Sequence, residues 1–370
     1  MIRILHVVSK LSLNSGVMNV IMNYYRHTDR TKIQFDFLYF EEWNPDFKDE
    51  IKNLGGNIFS VNKPSLKHIY RTYKEFNFFL SNNYAKYTAV HLHEVYLVHF
   101  ISYFCKKYGI KHLITHAHTT KYSDNPKNAL RNRMMCLGLK KSATDYFACS
   151  KAAGEFYYGK EAVANGLVKV IPNAIDLEKY KFNQAIREKI RKSLNIEDKF
   201  VVGHIGRMAP PKNQKFLLQI FKKVKKERTN SILLMIGNGP LKKEIESEIK
   251  RLNLQDSVIL LGVRNDVPNL LMAMDVFVLP SLSEGLGIVA IEAQASGLKC
   301  ILSDKVPVET DMGGAKYISL QTYCKQWASA ILNCEKKHNR NSYLSNLIKN
   351  GYSIKELVEA LQNYYIKLSR

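Results

Sequence analysis

Short runs of β-branched and aromatic residues alternate along the chain with longer segments of helical periodicity. Residues 2–8 read as a strand, 17–25 as a helix, 34–40 as a strand, 47–54 as a helix and 57–61 as a strand. Further strands are predicted at 89–93, 112–116, 146–149 and 168–171, before a turn-rich exit at Pro172-Asn173-Ala174-Ile175-Asp176. After a charged helical segment at 183–195 the rhythm restarts, with strands at 200–205, 231–236, 258–261, 276–279 and 300–303. Helices at 214–226, 241–252, 267–273 and 288–296 separate them. This alternation predicts an α/β protein of two Rossmann-like, doubly wound parallel-sheet domains, 1–178 and 179–352, facing a cleft that would hold the ligand. The last segment, 353–370, sets Ile354, Leu357, Val358, Leu361, Tyr365 and Leu368 on one face. It reads as an amphipathic helix packing back on the N-terminal domain.

Composition agrees with this picture. At 370 residues, 46% hydrophobic and 24% charged, the chain has the make-up of a folded two-domain protein, and a disordered or collagen-like chain is excluded. The net charge of +22 implies an anionic partner, and it is spread evenly: 25 basic against 15 acidic residues in 1–180, 30 against 18 in 181–370. Cysteines at 105, 136, 149, 300, 324 and 334 show no Cys-x-x-Cys spacing, which points to a reduced, cytoplasmic setting. No secretory signal and no apolar run of membrane-spanning length is visible. Between 105 and 141 nine Lys or Arg face one acid, Asp124, with Tyr108, Tyr122, Met134, Met135 and Leu137 interleaved. Such a segment suits either an anionic membrane surface or a solvated helix over core residues.

The second half carries the sharper chemistry. A strand ends in Gly206-Arg207 and Lys212 follows, so two cations project from a strand's carboxyl end, an arrangement that suits a diphosphate. Gly237-Asn238-Gly239-Pro240 and Gly262-Val263-Arg264-Asn265-Asp266 end the next two strands. Pro280-Ser281-Leu282-Ser283-Glu284-Gly285-Leu286-Gly287-Ile288 leads into a helix whose first amides are available to phosphate or sugar oxygens. Glu292 is expected about 12 Å further along that helix, so Glu284 and Glu292 would hold two ends of an elongated ligand. In the first half, Asn14-Ser15-Gly16-Val17 opens a helix after the first strand, with one glycine rather than a dinucleotide fingerprint. His91, His93 and Glu94, with His116 and His118, end two strands; a metal site, satisfied structural histidines, and a catalytic or phosphate-contacting role all remain open for them.

Together, the glycine loop, Arg207 with Lys212, and Ser283-Glu284-Gly285-Leu286-Gly287 with Glu292 resemble glycosyltransferase family 4, retaining enzymes of the GT-B fold. The stretch from Arg207 through Pro280 to Ser303, including Ile291-Glu292-Ala293-Gln294-Ala295-Ser296-Gly297, looks most like the branch that builds bacterial capsule and exopolysaccharide. The first loop differs in having Ser15 before Gly16 and Met18 where the family often has a Glu. The resemblance implies a donor site of Gly16, Arg207, Lys212, Gly239, Val263, Arg264, Glu284, Gly285, Leu286, Gly287, Ile288 and Glu292. Catalytic roles fall to His118, Arg207, Lys212 and Glu284. Within it, Arg207 and Lys212 would hold the diphosphate, Glu284 the sugar, Glu292 the ribose, and Val263 and Arg264 the base. The implied reaction moves a hexose or N-acetylhexosamine from a nucleotide sugar, a UDP sugar above all, to a lipid-diphosphate-linked glycan at the inner face of the plasma membrane. No Asp-x-Asp occurs, so no metal or other cofactor is expected and the two cations would take the metal's place. Rival readings are a sugar-nucleotide epimerase or hydrolase of similar build, and a basic nucleic-acid-binding protein; the latter lacks any recognisable binding motif, so no nucleic-acid partner is expected.

Overall fold

The computed structural model describes residues 1–369 apart from 14, 65–67, 124 and 336–339, so Asn14 and Asp124 lie outside the described residues. The chain divides into two compact units, Met1–Ile175 with Ile354–Arg370, and Asp176–Ser353.

Seven parallel strands form the sheet of the first unit: β1 (Ile2–Val8), β2 (Ile33–Tyr39), β3 (Ile58–Ser60), β4 (Tyr87–Leu92), β5 (His112–Ala117), β6 (Asp145–Ala148) and β7 (Val168–Val170). Their order is β3-β2-β1-β4-β5-β6-β7. Alternation along β1 sends Leu5 and Val7 to one buried cluster and Ile4 and Val8 to another, so both sheet faces are covered. The second face carries the helix Gly16–His27, whose N-terminus is capped by Ser15 Oγ accepting from the Met18 amide at 3.3 Å. Against it lies the C-terminal helix Ile354–Leu368, burying Ile354, Val358, Leu361 and Tyr365.

The second unit holds β8 (Phe200–Ile205), β9 (Ser231–Ile236), β10 (Val258–Leu260), β11 (Val276–Leu279), β12 (Lys299–Ser303) and β13 (Ala315–Ile318). The order is β10-β9-β8-β11-β12-β13, again all parallel. Both units are therefore doubly wound α/β layers, with the strand order reversing at β1/β4 and at β8/β11.

The periodicity places most elements within a residue or two but leaves out five longer helices, Ile69–Asn83, Val98–Lys107, Pro126–Met135, Lys151–Tyr158 and Cys324–Leu332, and the edge strand β13. The first of these contains two Tyr and three Phe, residues that score as strand, yet only Thr72, Phe76, Phe79 and Leu80 are buried, at helical spacing. Glu292 is also nearer the helix start than expected. The chain stays irregular from 281 to 287, closes on Gly287 at φ +74°, and the helix is Ile288–Ala295, so Glu292 lies one turn in, about 6 Å along the axis.

Candidate active site

Ligands of doubly wound sheets sit at the carboxyl edge where strand order reverses. In the second unit this point lies between β8 and β11, and the loops following both strands carry the candidate residues. These loops are stitched together: the Leu282 amide donates to the Pro211 carbonyl at 2.8 Å, and Asn213 Nδ2 to the Pro280 carbonyl at 3.1 Å. Neighbouring loops join the same edge, with Met208 donating to Asn238 at 3.0 Å, Leu241 to Met208 at 3.0 Å, and Gly237 to Gly262 at 2.7 Å.

Lys212 Nζ donates to Glu284 Oε1 at 2.6 Å, and Ser281 Oγ donates to the same oxygen at 2.6 Å. The stem of Lys212 lies over the end of β8, where a Cβ on Gly206 would stand 3.1 Å from Lys212 Cδ. Glycine there lets the ammonium turn back across the edge. Ser281 is held from below, its carbonyl accepting from Ser303 Oγ at 2.6 Å. With side chains only 20% and 10% exposed, the Lys212–Glu284 pair is a charge-assisted hydrogen bond sheltered from water. Arg207 is exposed beside it, its carbonyl taking a bond from Gln214 Nε2 at 2.9 Å. Gln214 packs on buried His204, whose Nδ1 donates to the Val278 carbonyl at 2.9 Å and whose pKa burial lowers to about 4. This neutral brace fixes the loop bearing Arg207.

The loop 281–287 brings Gly285, Leu286 and Gly287 to the start of the helix at Ile288; of its first-turn amides, that of Ala290 already donates to the Gly287 carbonyl at 2.8 Å. Thr310 Oγ1 donates to the Leu286 carbonyl at 2.6 Å and holds the turn. Glu292 is partly buried; desolvation lifts its carboxyl to about 7, against the opposing hydrogen bond from Tyr180. Gly239 has a steric reason to be glycine, since a Cβ would fall 2.3 Å from the Met208 carbonyl oxygen. Arg264 is exposed, but its guanidinium forks onto Asp266 with two contacts of 2.8 Å, so its donors are shared with a carboxylate. Val263 is partly buried in the same loop.

The first unit holds Gly16 and His118. A Cβ at Gly16 would meet nothing within 4 Å, so the space over that helix start is open. His118 follows β5 and accepts or donates at Nε2 to His93 Nδ1, 2.8 Å away. Sequence reasoning missed His6, which lies level with His91 across the β1/β4 pair and joins the histidines. A lone histidine inside the apolar run of β1 was the available signal. It also missed Ser281, though Ser-x-x-Glu spacing before a helix was legible, Asp266, two residues after Arg264 in the same turn, and Tyr180, which reaches Glu292 through the fold. Among the described residues no helix is long and apolar enough to cross a membrane.

Residues 186–353 match the family model described as glycosyl transferases group 1. Over 98% of its length, and 96% of the relative's, the chain is 32% identical to EpsF of Bacillus subtilis (strain 168), which is named as a glycosyltransferase. It is also 32% identical, over 54% of each chain, to the UDP-Gal:alpha-D-GlcNAc-diphosphoundecaprenol alpha-1,3-galactosyltransferase of Escherichia coli. Among solved structures it resembles Anabaena HepE in complex with UDP and glucose, with a TM-score of 0.79, 17% identity, and coverage of 99% of this chain and 100% of that one. The architecture is that of GT-B glycosyltransferases, and the full-length relationship places the chain in their group 1 family.

Proposed function

We propose that the protein is a retaining, metal-independent transferase that moves a hexose or N-acetylhexosamine from a UDP sugar to a lipid-diphosphate-linked glycan of a capsule or exopolysaccharide. The observation that carries this reading is the Lys212–Glu284–Ser281 cluster at the strand-order reversal, beside the amides opening the helix at Ile288. Breaking an anomeric C–O bond leaves positive charge on the sugar and negative charge on the departing diphosphate. Fixed cations beside that diphosphate stabilise the transition state more than the ground state. Lys212 and Arg207 supply them, and Lys212 is already aimed by Glu284. Glu284, oriented by Lys212 and Ser281, accepts from donor-sugar hydroxyls, and the Gly285–Ile288 amides receive sugar and phosphate oxygens.

Glu292 takes the ribose hydroxyls, and the Gly239 turn and the Val263–Arg264 loop take the nucleotide. Gly16 and His118 in the first unit keep the roles that the family resemblance gives them. The lipid-linked acceptor is supported by the printed activities of the Escherichia coli relative and of a Campylobacter jejuni diphospho-undecaprenol N-acetylgalactosaminyltransferase, 29% identical over half of each chain. A thermal-shift screen over UDP, GDP and ADP sugars, followed by transfer assays with diphosphoundecaprenol-linked sugars, tests the reading. A stabilising uridine donor and a radiolabelled lipid product are expected; a protein indifferent to every nucleotide sugar would overturn it.

A further inference from the structure

The second sheet divides at its strand-order reversal. β8 and β11 pair only through Val202 with Val276 and Gly203 with Phe277. Each then runs two residues further against its outer neighbour, β8 to Ile205 beside β9 and β11 to Leu279 beside β12. In the first sheet the corresponding pair, β1 and β4, stays in register up to Val7 and Leu92. The two inner strands of the second sheet therefore part just before the loops that carry Arg207 and Glu284.

A side chain bridges the parted strands. His204, 1% exposed, donates from Nδ1 to the Val278 carbonyl at 2.9 Å. A carbonyl only accepts, so the neutral ring carries its proton on Nδ1 and offers a lone pair at Nε2. Gln214 Nε2 faces that lone pair at 3.5 Å and donates to the Arg207 carbonyl at 2.9 Å. Gln214 opens the helix Gln214–Glu227, is 2% exposed, and its Oε1 is buried without a partner. Turning the amide over would set Oε1 against two acceptors, the Arg207 carbonyl and the imidazole lone pair. The orphaned oxygen follows from keeping the amide nitrogen on Arg207 and His204, and a buried group left in that state calls for a reason.

We propose that His204 and Gln214 are positioning residues for transfer: the chain from Val278 through His204 and Gln214 to Arg207 sets how far apart the two loops stand and aims Arg207 at the donor diphosphate. This role rests on the reading of Arg207 as a diphosphate cation. β11 feeds the Glu284 loop through Pro280, and β8 feeds the Arg207–Lys212 loop through Gly206. Lys212 is aimed by its own side chain, through Glu284, whereas Arg207 is exposed and is held here through its backbone. A guanidinium whose loop drifts by about an ångström loses its forked alignment on phosphate oxygens, and misplacement of that size costs up to about 10²-fold in rate. Burial, with the Lys212 ammonium adding to it, lowers the His204 pKa to about 4 against the opposing Val278 bond, so the ring stays neutral around pH 7.

Gln214→Met keeps the length of the side chain and removes both donor hydrogens. Titrations of the full chain should show UDP affinity about tenfold below wild type and uridine affinity unchanged, since the diphosphate alone meets Arg207. In an Arg207→Ala background the same substitution should change UDP affinity by less than about twofold, an outcome that a merely structural loss would not give. Transfer should fall about 10- to 100-fold in His204→Leu. His204→Asn, whose amide hydrogens are placed as the imidazole Nδ1–H is, should recover part of that loss. Nitrogen-15 spectra, with the His204 signal assigned by its disappearance in His204→Asn, should report a neutral ring protonated at Nδ1 from pH 5 to 8. A folded Gln214→Met variant with wild-type UDP affinity and turnover overturns the proposal, as does equal loss on UDP and uridine, or a His204 ring protonated at Nε2. A wild-type chain that binds no uridine nucleotide would instead bring down the donor reading, and this role with it.

Discussion

Lys212 and Glu284 illustrate how one contact can serve two ends. Their 2.6 Å pair positions an ammonium for a diphosphate and also neutralises two largely buried charges. Removing one partner strands the other, so Lys212→Met should cost about 1–2 kcal/mol of second-unit stability, less than a fully buried pair because the lysine is one-fifth exposed. It should also lower kcat about 10²- to 10³-fold. Adding Glu284→Gln should restore most of the stability and none of the turnover; chemical denaturation and transfer rates on the single and double variants separate the two. Glu292 makes a different prediction. Its folded pKa of about 7 lies above the ordinary carboxyl value of 4.5, so the native state retains a proton that the unfolded chain has lost. The stability this contributes is complete below about pH 4.5 and fades as the pH rises through about 7. Hydroxyl donors on a ribose prefer the carboxylate, so UDP affinity should move the other way and rise through that same region. Glu292→Gln should flatten both profiles, as melting curves and calorimetric titrations between pH 4.5 and 8 would show; unchanged slopes would remove Glu292 from the site.

At the scale of elements, loops after strands are where pattern and chemistry separate. The βα rhythm placed β8, β9 and β11 and the turns that follow them, because alternating apolar runs and glycine turns are local signals. Which residues those turns join was not legible. Tyr180 meets Glu292, and Lys212 meets Glu284, only once the sheet order is set, and the five histidines come from three strands far apart in sequence, whereas Ser281 with Glu284 and Arg264 with Asp266 are contacts within one loop. Tyrosine- and phenylalanine-rich helices such as Ile69–Asn83 stayed hidden because intrinsic preference and burial pattern disagree there. The C-terminal helix was legible because its apolar face is continuous, and its packing has a measurable consequence. Leu361, 7% exposed against the helix Gly16–His27, should cost about 2–4 kcal/mol on truncation to alanine, read as a loss of first-unit stability in urea. A change below about 0.5 kcal/mol would mean that the face is not held.

For the whole molecule, the net charge of +22 is spread over both halves of the chain, and only part of it stands at the strand edge of the second unit, as Arg207 and Lys212, or on the segment around the helix Pro126–Met135. The helix Pro126–Met135 leaves Leu130 and Met134 61% and 56% exposed, with Leu137 just beyond it at 68%, and Lys127, Arg131, Arg133, Lys140 and Lys141 are exposed around them. Two readings were open for this segment, a solvated helix over core residues or a membrane-facing surface. Among the described residues the three apolar side chains are exposed, which is the state that a membrane-facing surface requires. On the membrane reading each basic residue would contribute roughly 1 kcal/mol near anionic headgroups. The wild-type chain should co-sediment with phosphatidylcholine vesicles containing phosphatidylglycerol, and much less at high salt or with phosphatidylcholine alone. Replacing Leu130, Met134 and Leu137 by Glu should lower vesicle affinity about tenfold or more while leaving UDP binding and the melting temperature unchanged. Transfer to a lipid-linked acceptor in vesicles should fall with it, and transfer to a short detergent-dispersed acceptor should not; equal loss on both acceptors, or none on either, would detach this face from the reaction.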